Sequence, residues 1–339
     1  MRHRLETWLN RIWYGGEEAP AWLKALVPLY RIGYLLDRLV KRRQQPAALR
    51  GRAIVVVGNL SVGGSGKTPL VIRLCRVLQQ AGLKPGVVSR GYGRKRGGMV
   101  EVTRESDALN TGDEPLVIAR RSGVPVVVAA DRCSAAVLLF QRGVDVVIAD
   151  DGLQHHRLPR RVEICVVDGE RDFGNGRLLP AGPLREPLKR LPEFDFVIVN
   201  AGSKPVTETA NTVRMNLVPG LLYALEGDES WRLTQFVGCR VNAVAGIGNP
   251  ERFFRTLQHA GLQVLPHVFP DHHGFTRADF ARLEPGIPVI MTEKDAVKCR
   301  GMGLENAWYL AVEASLPSAW ESALLSKLSA ALPGETLRP

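Results

Sequence analysis

Ala53-Ile-Val-Val-Val-Gly-Asn-Leu-Ser-Val-Gly-Gly-Ser-Gly-Lys-Thr-Pro69 decides how this chain folds. Its first five residues are apolar and read as a buried strand. A glycine-rich turn follows. Lys67-Thr68 then opens a segment whose apolar positions, Leu70, Val71, Leu74, Val77 and Leu78, suit a helix. Strand, glycine turn and helix start, in that order, make a phosphate cradle: backbone N–H groups face into the loop, glycine admits an anion closely, and lysine adds positive charge. The ligand class is a nucleoside triphosphate, with the Thr68 hydroxyl placed for Mg²⁺. Ser61 stands where the pattern G-x-x-x-x-G-K-[ST] expects glycine, while Gly63 and Gly64 supply extra backbone freedom. The expected nucleotide contacts are Ser61, Val62, Gly63, Gly64, Ser65, Gly66, Lys67 and Thr68.

Outward from this stretch, apolar runs at Gly86–Ser89, Val126–Ala130, Val144–Ala149, Val162–Val167 and Phe194–Asn200 alternate with helical segments such as Cys133–Gln141. Strands apolar throughout and separated by helices predict a mostly parallel sheet covered on both faces, an α/β fold of the P-loop NTPase kind. From about residue 225 the spacing changes. Val241–Gly246, a helix over Pro250–Ala260, Val264–Phe269 and Pro288–Met291 predict a smaller second α/β unit, and Ala319–Leu332 reads as a final helix. The expected division is an amphipathic segment over 1–50, a P-loop core over 51–225, the smaller unit over 226–310, and a C-terminal helix within 311–339 packing back on the core.

Five further segments carry chemistry. Val146-Val-Ile-Ala-Asp150-Asp151 is an apolar strand ending in two carboxylates, where a P-loop protein keeps the acids that hold Mg²⁺; either aspartate suits the role. Thr111-Gly-Asp113-Glu114-Pro115 places two acids at a turn before a helix, which a capping box alone would explain. Asp271-His272-His273 follows a strand; an Asp and a His from distant segments suit proton removal from a hydroxyl better than a zinc site. The glycine- and proline-dense run Gly174–Glu186 ends in Arg185, suited to an anionic substrate or the γ-phosphate. Met291-Thr-Glu-Lys-Asp-Ala-Val-Lys298 is a strand-to-helix junction for which capping is a sufficient explanation.

At 339 residues with 45% apolar content, the chain can build a proper core. Its cysteines (75, 133, 165, 239 and 299) are scattered and odd in number, as in a cytosolic protein without a disulfide framework or zinc site. Of the net +11, residues 1–52 hold eleven Lys or Arg against four Asp or Glu, a local +7. Glu6, Asn10 and Arg11 interrupt any signal-peptide apolar region, and the charges within 22–40 exclude a cheap membrane span. Trp22, Leu26, Leu29, Ile32, Leu36 and Leu39 share one helical face, with Trp8 and Trp13 upstream and Lys41-Arg42-Arg43 after. That pattern suits an anionic membrane surface, with a core-packed helix or a basic nucleic-acid arm as alternatives.

Taken together, Asn59–Pro69, Ser89–Gly93, Gly112–Pro115, Asp150–His155, Leu179–Glu186, Asp271-His272 and Thr292–Asp295 resemble one family closely, the tetraacyldisaccharide 4′-kinases of lipid A biosynthesis in Gram-negative bacteria. Ser61 is that family's own variant; Leu153, where an aromatic is expected, is a small departure. The resemblance implies ATP and Mg²⁺ as cofactors and transfer of the γ-phosphate to the 4′-hydroxyl of a tetraacylated, 1-phosphorylated glucosamine disaccharide. It also implies a peripheral protein on the cytoplasmic face of the inner membrane. Lys67 and Thr68 match the phosphate and Mg²⁺ positions, Asp150 and Asp151 the metal acids, Asp113 the base and His272 its partner. Arg90, Tyr92, Gln154, His155 and Glu186 are candidates for substrate contact. The competing function is a P-loop ATPase or nucleotide switch without a lipid acceptor, for which an acceptor base would be superfluous. No nucleic-acid motif accompanies the basic loop Arg90–Arg96, and no obligate protein partner is evident.

Overall fold

The computed structural model describes residues 2–95, 97–200, 209–329, 331 and 332. Arg96 of the basic loop and residues 330 and 333–339 of the C-terminal segment lie outside the described residues. Helices α1 (Arg2–Tyr14) and α2 (Ala21–Arg43) precede β1 (Ala53–Gly58). The chain continues through α3 (Lys67–Gln80), β2 (Pro85–Ser89), β3 (Val100–Val102), α4 (Ala108–Thr111), α5 (Asp113–Ser122), β4 (Val126–Val128), α6 (Arg132–Gln141), β5 (Val146–Ala149), β6 (Val162–Asp168), β7 (Phe196–Asn200) and β8 (Thr212–Ala224). Then come β9 (Ser230–Arg232), β10 (Arg240–Ala245), α7 (Pro250–His259), β11 (Gln263–Val268), α8 (Arg277–Phe280), β12 (Val289–Thr292), α9 (Glu293–Cys299), β13 (Ala307–Ser315) and α10 (Ser318–Ser329).

The described strands form a single sheet ordered β11-β10-β12-β13-β8-β7-β6-β1-β5-β2-β4-β3, with β9 paired to β8. On the P-loop side β4, β2, β5, β1, β6 and β7 run parallel, and β3 closes the edge antiparallel to β4. Alternate side chains of each strand leave on opposite faces. Val55, Val57, Ile148 and Ile164 pack beneath α3, α5 and α10, while Ile54, Val56, Val147 and Cys165 pack against α6. With both faces buried, no polar alternation survives, which is why these runs are apolar throughout.

β8 links the two ends of the sheet. Its first residues pair with β7 in parallel, and Asn216–Ala224 pair antiparallel with β13, which is parallel to β12. Residues 311–315 therefore belong to a strand, and the last helix spans Ser318–Ser329, burying Trp320, Leu324 and Leu328 against the core. Residues just beyond the carboxyl ends of the parallel strands border one cleft of about 1770 Å³, as open α/β sheets place their ligand sites.

Candidate functional site

The glycine loop leaves β1 at Gly58 and ends where Lys67 begins α3. Gly66 sits at φ +89, and a Cβ there would lie 2.4 Å from Asn200 Nδ2. The Asn200 amide occupies that space to donate to the Ser65 carbonyl at 3.1 Å, and its own oxygen accepts from Arg252 at 2.9 Å. The Leu179–Glu186 run acts as the outer wall of the loop. Val62 N donates to Pro183 O at 2.9 Å, Arg185 N donates to Leu60 O, and Ser61 bridges Leu184. Tyr14 on α1 adds a hydrogen bond to the Val62 carbonyl at 2.9 Å. Lys67 Nζ reaches Asn59 Oδ1 at 3.3 Å and Asp151 Oδ1 at 3.4 Å.

Asp150 and Asp151 follow β5 and face the helix start. Asp150 is buried; one oxygen accepts from Ser89 Oγ at 3.0 Å and the other has no partner. Burial, then the charges of Glu114 and Asp151, raise its carboxyl well above the ordinary range. Burial pushes Asp151 the same way, but Lys67, Arg185 and Arg132 hold it down to about 2. Two carboxylates and the Thr68 hydroxyl thus offer a set of oxygen donors, with an orphaned Asp150 oxygen among them, which suits a hard divalent cation.

Asp113 and His272 are 159 residues apart, yet Asp113 Oδ2 lies 3.0 Å from His272 Nδ1. Asp113 is the first residue of α5 and its other oxygen accepts from Glu114 N; no capping box is recorded there. Its position depends on backbone packing. Gly91 and Gly112, both at positive φ, press together, and a Cβ on Gly112 would come within 3.1 Å of Gly91 Cα. That approach brings exposed Tyr92 over His272, ring centroids 5.1 Å apart. Burial alone would raise the Asp113 carboxyl, but the His272 hydrogen bond and the Lys294 charge bring it down to about 2. The same hydrogen bond raises His272 above 6.5. The adjacent Glu114 is ion-paired with Lys294 across the cleft wall.

The other sequence candidates divide by depth. Arg185 Nη1 lies 3.4 Å from Asp151 and 3.2 Å from Gln154 Oε1, so Arg185 joins Gln154 to Asp151. Arg90 lines the cleft from an exposed loop. Glu186 is completely buried, its carboxylate held by Arg190, Tyr34 of α2 and Gln154 at 2.6, 2.9 and 2.9 Å. His155 borders the cleft; burial and the Arg132 charge lower it to about 4. Its Nε2 meets Cys133 Sγ at 3.7 Å and Asp131 at 3.8 Å. These three ligand types converge, but the guanidinium of Arg157, 3.6 Å from Asp131, and that of Arg132 oppose a cation there.

Sequence reasoning missed Arg132, Asn200, Glu114 and Lys294. Arg132 is buried, opens α6 behind β4 and feels the charges of Asp151 and Asp150; its place one residue past Asp131, beyond the end of a parallel strand, was the available signal.

Comparison with known proteins gives a consistent picture. The family model described as tetraacyldisaccharide-1-P 4′-kinase, LpxK, matches residues 20–329. A tetraacyldisaccharide 4′-kinase from Shewanella sp. (strain W3-18-1) is 44% identical over 339 residues, covering 96% of each chain. One from Hahella chejuensis is 46% identical over 334 residues, covering 95% of this chain and 96% of its own. The crystal structure of LpxK from Aquifex aeolicus in complex with ATP is 26% identical, with a TM-score of 0.72 over 90% of this chain and 99% of that one.

The tight seat of Gly66 yields a prediction. Gly66→Ala should weaken ATP binding roughly tenfold or more, because the left-handed backbone costs about 1–2 kcal/mol and Asn200 must move. Calorimetric titration with a non-hydrolysable ATP analogue checks this, and wild-type affinity would show that the loop is not the cradle.

Proposed function

The chain belongs to the tetraacyldisaccharide-1-P 4′-kinase family, and on that premise we propose the part played by each residue. It is a kinase of lipid A biosynthesis, moving the γ-phosphate of ATP to the 4′-hydroxyl of a tetraacylated disaccharide 1-phosphate. In our reading the 61–68 loop cradles the phosphates, with Lys67 between the phosphates and Asp151. Thr68, Asp150 and Asp151 would hold Mg²⁺, which when bound neutralises charge on the transferring phosphoryl group. Arg185 and Arg132 add positive charge at the same place. Such charge neutralisation carries more of phosphoryl transfer than any base.

Asp113 and His272 receive the acceptor's proton as a pair. Held near 2, the Asp113 carboxylate orients and stabilises, and the imidazole has the affinity nearer to neutral pH. The single observation that carries the kinase over the ATPase alternative is this pair, assembled at 3.0 Å from segments 159 residues apart. A nucleotide switch has no acceptor hydroxyl to deprotonate.

The acceptor's acyl chains belong in a bilayer, and α2 supports a peripheral site there, which we assign to the cytoplasmic face of the inner membrane. Trp22, Leu29, Ile32, Leu36 and Leu39 are exposed, Leu29 at 66%. Leu23 is buried, and Tyr30 and Tyr34 turn inward to Arg185 and Glu186. A core-packed helix would bury the leucines; a membrane-facing one leaves them free, beside the basic run 41–43. No described helix is long and apolar enough to cross a membrane.

Three outcomes are expected. Labelled γ-phosphate should pass to a tetraacyldisaccharide 1-phosphate, and Lys67→Ala or Asp113→Asn should slow turnover by about a hundredfold or more, the latter with ATP affinity retained. Transfer to water at the same rate without acceptor would favour the ATPase. Leu29→Glu/Leu36→Glu should release the protein from anionic vesicles in a sedimentation assay while ATP binding stays unchanged; continued sedimentation would move the membrane contact elsewhere. The neutral imidazole is the reactive form and its ionisation is raised, so kcat/KM should climb with pH through an apparent value above 6.5. A limb below 6.5 would show that the imidazole is not coupled to Asp113.

A further inference from the structure

The Thr292–Asp295 segment has a place in the fold that capping does not account for. Asp113 opens α5 and packs with the P-loop side of the sheet, whereas His272 follows β11 at the opposite edge. Their 3.0 Å contact requires the two sides to be held in register. Helix α9 lies between them, and its first three residues each reach a different anchor. Glu293 pairs with Arg121, in the last turn of α5, at 3.0 Å. Lys294 pairs with Glu114, in the first turn of α5. Asp295, fully buried, accepts from the Gly246 amide at 2.9 Å beyond β10 and from the Thr292 hydroxyl at 2.6 Å. Both ends of α5 are therefore fastened to α9, and α9 is fastened to the strand neighbouring the one that carries His272.

We propose that Lys294 is a positioning residue for phosphoryl transfer, clamping Glu114 so that the first turn of α5 presents Asp113 to His272. The inference rests on reading Asp113 and His272 as the pair that takes the hydroxyl proton. Arg121–Glu293 holds the far end of α5, and Lys294–Glu114 joins the Gly91–Gly112 contact in holding the end that carries Asp113. The Lys294–Glu114 pair borders the cleft. Its ammonium also favours the ionised form of Asp113 and opposes protonation of His272. One side chain thus bears on both the placement and the charge state of the pair.

The test is a double-mutant cycle on the full chain, with ATP and tetraacyldisaccharide 1-phosphate in mixed micelles. Lys294→Met should lower kcat by up to about a hundredfold, the loss that misplacement near an ångström can cause, with KM for ATP within about twofold. Lys294→Arg should retain most of the rate. In an Asp113→Asn background the same Lys294→Met change should cost less than about threefold, because the group it positions is gone. Losses that multiply would overturn the proposal and indicate direct contact with a phosphate; so would a normal kcat in Lys294→Met. Thermal midpoints near wild type establish that the variants fold, and Lys294→Gln replaces Lys294→Met if that one does not. Asp113→Asn with full kcat would remove the proton-transfer reading by itself, independently of Lys294.

Discussion

Glu114, Asp150 and Asp151 border one cleft, and the repulsion of Asp150 by the other two is the constraint that the neighbouring charged groups answer. Two like charges a few ångströms apart in a partly desolvated site cannot both ionise cheaply. Lys67, Arg185 and Arg132 surround Asp151, Lys294 takes Glu114, and His272 takes Asp113. Asp150 is left with a serine hydroxyl and an unpartnered oxygen, so its carboxyl is pushed toward the neutral form. That residual imbalance is what a bound divalent cation would relieve. The charge pattern distinguishes two regions, a cation-rich one around Asp151 and the paired Asp113 and His272.

Positioning these groups relies on backbone as much as on side chains. The glycine loop is walled by Leu179–Glu186, so its shape rests on that run as well as on its own left-handed Gly63 and Gly66. Gly91 and Gly112 serve a different end: without side chains, two loops approach closely enough to bring Tyr92 over His272, the partner of Asp113. Preorganisation of this kind is what an enzyme gains from rigid loops at the carboxyl rim of a parallel sheet.

The strand-loop-helix at 53–78 and the acids after β5 were legible because their chemistry is local: period, glycine content and charge within a dozen residues. The proximity of Asp113 and His272 came from family resemblance, since Thr111–Glu114 by itself fits an ordinary helix start and nothing local points to residue 272. Lys294, Asn200 and Arg132 were illegible for a related reason. A lysine at a helix start or an asparagine closing a strand is common, and its meaning comes from a partner far away in sequence. Glu186 illustrates the converse. Beside Arg185 it reads as a substrate contact, but Arg190, Tyr34 and Gln154 consume its oxygens, so any effect it has on the acceptor passes through Gln154 and Arg185.

That buried carboxylate also ties the exposed helix to the chemistry. Tyr34 donates to Glu186, Gln154 joins Glu186 to Arg185, and Arg185 reaches Asp151, while Tyr30 holds the Arg185 carbonyl. One face of α2 is therefore part of the wall behind Asp151, and its other face carries the exposed leucines. A helix is only about 10–12 Å across with its side chains, so the exposed leucines lie within about one helix diameter of that wall. On the reading proposed above, an acceptor anchored by acyl chains has its sugar at a fixed depth, and a site built on the inner face of α2 would meet that depth. On that same reading, the amphipathic pattern of residues 22–40 and the glycine loop of residues 58–69 answer a single requirement, that a soluble nucleotide and a bilayer-bound hydroxyl be brought to the same few ångströms.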